Sequence, residues 1–153
     1  MNKGMNSSDR SDWETPQDFF NRLNRIYEFT LDVCATAENT KCNLYYTPED
    51  DGLSQSWKYH VCWLNPPYGR EISAWMRKAY LETKKGNCRV VALIPARTDT
   101  KWWHRYVMKA ATIGLVKGRL TFVGGESAAP FPSAVAFFHK HDKEVPEFFS
   151  MER

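Results

Sequence analysis

The stretch from His60 to Pro95 limits the possible folds more than any other. Val61-Cys62-Trp63-Leu64 is an unbroken apolar run, closed by Asn65-Pro66-Pro67-Tyr68-Gly69. A strand apolar on both sides must be buried on both faces, and a double proline cannot extend its ladder. Ile72, Trp75, Met76, Ala79 and Tyr80 follow at i, i+3, i+4, i+7 and i+8, which predicts an amphipathic helix ending near Gly86. Its other face carries Arg77, Lys78, Lys84 and Lys85. Val90-Val91-Ala92-Leu93-Ile94 is a second buried strand, stopped by Pro95. Strand, helix, strand in this order predicts an α/β fold with a mostly parallel sheet and helices on both faces.

The flanks extend that pattern. Residues 1–12 read as a flexible arm and residues 13–153 as one compact domain. Thr15 is read as a capping hydroxyl before Pro16 at the first helical position, with Asp18 three residues after the cap. Phe19, Phe20, Leu23, Ile26 and Tyr27 then share one helical face. Residues 29–35 and 44–46 are short strand candidates, and Trp102, Trp103, Tyr106, Val107 and Ala110 give a further helical face. Three strand candidates, 111–116, 119–123 and 134–139, with a turn at Gly124-Gly125, predict that the sheet finishes with an antiparallel C-terminal strand.

Composition narrows the function classes. A chain of 153 residues with 42% hydrophobic and 25% charged residues is globular and long enough for one core. No apolar run approaches the roughly 20 residues that cross a bilayer, and the start lacks a signal-peptide stretch, so a cytoplasmic protein is expected. Cys34, Cys42, Cys62 and Cys88 are widely spaced and read as free thiols; no metal site is expected from them or from the four histidines. The net charge of +3 conceals an asymmetry: residues 70–119 hold 12 Lys and Arg against 3 Asp and Glu. Such a bias suits a polyanion, or else a solvated helix face.

Asn65-Pro66-Pro67-Tyr68 sits where open α/β sheets bind ligands, just beyond the carboxyl end of a strand. An Asn side-chain oxygen and a backbone carbonyl can both accept from an exocyclic amino group such as that of adenine. That pair draws the nitrogen toward tetrahedral geometry and re-aims its lone pair. Pro66 has a fixed φ and Pro67 adds no N–H, so the loop offers carbonyls without competing donors. Tyr68 offers a flat face for a base.

Taken with Trp13-Glu14-Thr15-Pro16, Leu31-Asp32-Val33-Cys34-Ala35, Asp51-Gly52-Leu53, Trp57, Leu93–Thr100 and Gly118-Arg119-Leu120-Thr121-Phe122, this loop resembles the phage Dam-type DNA adenine-N6 methyltransferases from Trp13 to about Phe138. The resemblance implies a Rossmann-like methyltransferase fold, S-adenosylmethionine as methyl donor, DNA as partner and a flipped adenine as target. It assigns Asn65 and the Pro66 carbonyl to the amino group, with Pro67 stiffening the loop and Tyr68 stacking on the base. Thr15 and Pro16 match the segment reaching the methionine end of the cofactor, and Asp32 the acid beside it. Asp51, or its neighbour Asp50, matches the acid near the cofactor adenine. Ala35-Thr36-Ala37 stands where the broader methyltransferase pattern has a Gly-rich turn, and Asn39 just beyond it is either a cofactor contact or a plain loop residue.

Arg97, Lys101 and Arg119 are the candidate phosphate contacts, being on loops expected at the same sheet end. Asp99 or Thr100 is a candidate cap for the next helix, and Trp102 and Trp103 read as core. No separate target-recognition domain is expected. An amide methyltransferase acting on a protein glutamine and a non-catalytic nucleic-acid binding module are the rival readings; the basic 70–119 segment favours nucleic acid, and RNA stays open.

Overall fold

The computed structural model describes residues 12–140 and 145–153; most of the expected arm lies outside them. The element order is α1 (Gln17–Tyr27), β1 (Leu31–Asp32), β2 (Val61–Leu64), α2 (Ile72–Lys84), β3 (Arg89–Pro95), α3 (Lys101–Arg105), a 3-10 turn at Val107–Lys109, β4 (Thr112–Lys117), β5 (Ser133–Phe138) and β6 (Glu147–Glu152). The six strands form one mixed sheet in the order β1-β2-β3-β5-β4-β6. β1, β2 and β3 are parallel, with Trp63 opposite Asp32 on one side and Val91 on the other. β5 runs antiparallel to both β3 and β4, while β6 pairs parallel to β4.

The tail departs from the sequence reading in two places. The antiparallel strand is β5, and the last strand is β6, which the sequence did not announce. Glu-Phe-Phe-Ser-Met-Glu alternates poorly because this edge strand is mostly exposed, Phe148 and Phe149 included. Residues 119–123 form no ladder. Leu120 and Phe122 are buried between exposed Arg119, Thr121 and Val123, but the Leu120 carbonyl accepts from Ala129 N–H, the Phe122 carbonyl from Gly125 N–H, and Val123 N–H donates to the Glu14 carbonyl. Alternation here reports one-sided burial of an extended chain, not pairing.

Helices cover both faces. Trp63 packs edge-on to Phe20 of α1 (5.2 Å), and Tyr27 of α1 lies against Phe137. The preceding residue, Cys62, faces the other way and reaches the Trp57 carbonyl; the Trp57 ring stacks on Trp75 of α2 at 6.3 Å. Glu82, buried on α2, accepts from Trp57 N–H, Lys78 and Lys85. Burial works to raise its carboxyl, and these bonds outweigh burial and hold it below the ordinary range. The core is continuous through the sheet, from Phe19 and Leu31 to Ile113 and Val135. All four cysteines are free, with Cys62 and Cys88 buried and Cys34 and Cys42 half-buried. Among the described residues no helix is long and apolar enough to cross a membrane.

Candidate active site

The carboxyl ends of β1 and β2 open into a cavity of about 530 Å3, a size that suits a nucleoside-containing ligand. Thr15, Asp32, Ala35, Asn39, Asp51, Asn65, Pro66 and Pro67 all line it. Residues from four sequence-distant segments thus meet in one hollow. Pro16 and Tyr68 are not among the lining residues.

Asn65 is the best-defined group. Its Nδ2 donates to the Trp13 carbonyl and to Thr15 Oγ1 (3.0 Å), while its Oδ1 is buried with no partner. The two acceptors fix which end of the amide points where, so the orphan atom is the acceptor. A buried polar atom left unpaired costs about 1–3 kcal/mol, so an unpaired acceptor at a cavity wall is a natural contact for a ligand donor. The bond from Asn65 also explains a departure from the sequence reading. Thr15 does not cap α1: Pro16 occupies the N-cap position without a side-chain bond, because the Thr15 hydroxyl is taken.

Asp32 ends β1, and its carboxylate accepts from Lys41 N–H (2.9 Å) and Cys34 N–H (3.4 Å). Burial pushes its carboxyl from 3.8 up to about 6, despite those bonds and the Lys41 charge. A native-state value above the unfolded one means that ionisation is easier unfolded, so the stability this group lends at low pH is lost as pH rises from about 4 through about 6. The stability gap between wild type and Asp32→Asn should therefore move toward the variant by about 2 kcal/mol between pH 4 and 7 in the ligand-free protein. Urea denaturation across that range checks it, and a constant gap would show that Asp32 is not desolvated.

Asn39 and Thr36 bond each other reciprocally, Thr36 N–H to Asn39 Oδ1 at 2.7 Å and Asn39 N–H to Thr36 Oγ1 at 3.3 Å. This closed turn stands in place of the Gly-rich one. Of the two neighbouring acids, Asp50 is committed to Thr47, accepting from its N–H and hydroxyl. Asp51 lines the cavity with a left-handed backbone, φ 55°. Gly52 is a forced glycine: a Cβ there would lie 2.2 Å from the Val33 carbonyl oxygen. Lys41 ties the rim together, reaching Glu14 (3.7 Å) and Gln17 (3.0 Å).

Tyr68 is 8% exposed, and its hydroxyl donates to the Leu93 carbonyl at 3.1 Å. Its ring lies edge-on to Phe131 (5.6 Å) and Phe122 (6.3 Å), and Trp13 packs on the same two phenylalanines. The sequence reading missed Trp13, Phe122 and Phe131 as a cover for the catalytic loop. Trp13 reaches Asn65 through a backbone carbonyl, which leaves no side-chain signature; Phe122 falls in a predicted strand and Phe131 in no predicted element. Trp75 was read as core of its helix; it also lines the cavity, with Nε1 buried and unpartnered.

The candidate phosphate contacts stand outside the cavity. Arg97 follows β3 and sits over the Phe131 ring at 5.8 Å; Arg119 follows β4 and donates to the Ala129 carbonyl. Lys101 begins α3, where Thr100 is the cap, accepting from Trp103 N–H. Because β3 and β4 point the same way, all three cations lie at the sheet end that carries Asn65. Trp102 and Trp103 are buried, as their spacing predicts. Among the described residues no three His, Cys, Asp or Glu side chains group as a metal site.

Comparison with known proteins agrees with this geometry. Residues 3–150 match the family described as DNA N-6-adenine-methyltransferase (Dam). The chain is 32% identical over 123 residues to the DNA N-6-adenine-methyltransferase of Haemophilus phage HP1, covering 78% of this chain and 70% of that one. It is also 32% identical over 144 residues to the DNA N-6-adenine-methyltransferase of Escherichia phage T1, spanning 82% of this chain and 60% of that protein. A shorter match, 36% over 63 residues, is to the putative methyltransferase YfdM of Escherichia coli K12, covering 37% of this chain and 69% of that one. With a family match along nearly its whole length and a phage relative 32% identical over most of it, the chain belongs to the Dam family of DNA N-6-adenine-methyltransferases.

Proposed function

We propose that the chain methylates N6 of an adenine flipped out of DNA, using S-adenosylmethionine held in the cavity of a Rossmann-like sheet. The observation that carries this reading is the oriented Asn65 amide with its unpaired acceptor beside a hollow of about 530 Å3. The lining suits that cofactor: the Asp32 carboxylate toward an ammonium group, Asp51 toward ribose hydroxyls, and Leu53, Trp75 and Pro48 toward an adenine ring. Bound there, S-adenosylmethionine supplies an electrophilic methyl group on a sulfonium.

The chain's own part is alignment. Asn65 Oδ1 and the Pro66 carbonyl accept the two amino protons of adenine, leaving the nitrogen lone pair directed at the cavity. An amide is no base at neutral pH, so the proton displaced by methylation leaves afterwards to water. Tyr68 takes the base on its ring once Phe122 and Phe131 give way; stacking of this kind is worth about 1–3 kcal/mol. Arg97, Lys101 and Arg119 hold phosphates around the extruded nucleotide. Target contacts then come from the loops of one domain, and phage relatives point to work inside a bacterial host cell.

Two measurements on one preparation test the reading. Calorimetry with S-adenosylhomocysteine in the presence of a chelator should show one site per chain, and modified-base sequencing of treated mixed-sequence DNA should find N6-methyladenine. No heat at millimolar ligand rejects the cofactor assignment; a methylated glutamine in place of adenine rejects the substrate.

A further inference from the structure

The molecule has a second large hollow, at the end of the sheet opposite Asn65. It is a groove of about 570 Å3 where β2 and β3 begin and β5 ends. His60, Arg89, His139 and Lys140 line it, and no Asp or Glu does among the described residues. Among the described lining residues the formal charges are those of Arg89 and Lys140, both positive. Three chain segments supply these groups: the lead into β2, the first residue of β3 and the exit of β5. Gly86, with φ 81°, leaves room beside the Lys140 stem, which a Cβ there would meet at 3.6 Å.

An aromatic ring stands at the groove's rim under backbone strain. Tyr59 is 74% exposed and has φ 69°, a left-handed conformation that is an outlier for a bulky side chain. Its N–H donates to the Asn87 carbonyl at 2.7 Å, and Asn87 is itself left-handed, φ 65°. Lys58 Nζ lies 4.8 Å from the Tyr59 ring centroid. The turn is fastened by that bond and by His60 N–H to the Trp57 carbonyl (3.3 Å), while the ring itself buries little. Strain retained at an exposed aromatic beside cations fits a ligand contact.

We propose that this groove is a second DNA site, taking backbone phosphates on Arg89 and Lys140 and a sugar or base face on Tyr59. β3 runs from Arg89 at the groove to Pro95 at the catalytic end, about 20 Å at the rise of a strand. The two sites thus face opposite ends of the sheet. The groove therefore takes a different DNA segment, and one protein molecule holds two. Tethering by the second segment keeps the enzyme near fresh sites between turnovers. The inference rests on DNA being the substrate and is independent of the roles given to Asn65 and the cofactor.

Native mass spectrometry with a short duplex tests it, in parallel with salt titrations of binding to the same duplex. Wild type should take two duplexes per chain at low salt. Arg89→Glu combined with Lys140→Glu should take one and show a shallower salt slope, with single-turnover methylation at saturating DNA within about twofold of wild type. Tyr59→Gly relieves the strain, so it should melt no lower than wild type and yet lose the second duplex about tenfold more readily. One duplex per wild-type chain, with affinity and salt slope unchanged in the double variant, overturns the proposal. Saturation of the groove by inorganic phosphate with no second duplex bound also overturns it, reassigning the groove to a small anion. A wild type that binds two duplexes but methylates no adenine leaves the groove standing and rejects the catalytic reading.

Discussion

Asn65→Ala should lower turnover by about 10²–10³ while S-adenosylhomocysteine affinity changes by less than about threefold, the size expected when one preorganised polar group is removed from a transition state. In the proposed mechanism the amide meets the substrate amino group, so its loss is felt as the nitrogen becomes tetrahedral. The variant also leaves the Trp13 carbonyl and Thr15 Oγ1 without their donor, which costs about 1–3 kcal/mol of stability. Thr15→Val separates the two effects. It removes one of the two bonds that orient the amide and leaves the acceptor in place, so its turnover should fall between wild type and Asn65→Ala. Asn65→Asp keeps an acceptor but turns a second oxygen on the Trp13 carbonyl; it should be less stable than wild type and more active than the Ala variant. Single-turnover methylation, ligand titration and melting on the same samples decide the matter. A folded, ligand-bound Asn65→Ala protein with near-normal turnover would end the mechanism.

Gly52→Ala is expected to be the most damaging single-methyl change at the cavity wall. Its Cβ would collide with the Val33 carbonyl oxygen, and that oxygen belongs to backbone held in line with β1 by the bond from Val33 N–H to Trp63. The loop must move instead, carrying Asp51 off the wall and breaking the bond from Trp57 Nε1 to the Gly52 carbonyl (2.9 Å). Overpacking of this sort costs about 1–3 kcal/mol, and ligand affinity should fall about tenfold or more. Gly124→Ala is the control: nothing lies within 4 Å of a Cβ there, so at φ 79° it carries conformational strain without the collision that Gly52→Ala meets. Urea midpoints and S-adenosylhomocysteine titration read both. A Gly52→Ala protein that binds as wild type would show that the Asp51 loop does not border the ligand.

The parts of the fold legible in the sequence are those where burial is two-sided or strictly periodic. β2, α2 and β3 fall within a residue or two of their predicted limits because Val61–Leu64 and Val90–Ile94 have no polar face and α2 keeps helical spacing. β6 was silent because an exposed edge strand needs no apolar pattern. In the site, the cavity brings together Asn65, read from its place beyond a buried strand, with Thr15, Asp32 and Asp51, read from motif order. What motif order could not supply was partnership. Whether Thr15 bonds the chain ahead of it or a side chain fifty residues away is a tertiary fact, as is the choice between Asp50 and Asp51.

The reversal of β5 has a consequence for how the reaction centre is enclosed. In an all-parallel sheet, the chain leaving β4 would have to travel to the opposite rim before starting the next strand. Here β5 points back, so residues 118–132 begin and finish on the rim that carries Asn65. That connection folds over the Asn65–Tyr68 loop, setting Phe122 and Phe131 against Tyr68, and Arg119 braces it by its bond to the Ala129 carbonyl. One strand running against its neighbours thus roofs the reaction centre with the protein's own connecting chain, and the roof is anchored at both ends by the sheet that carries the floor.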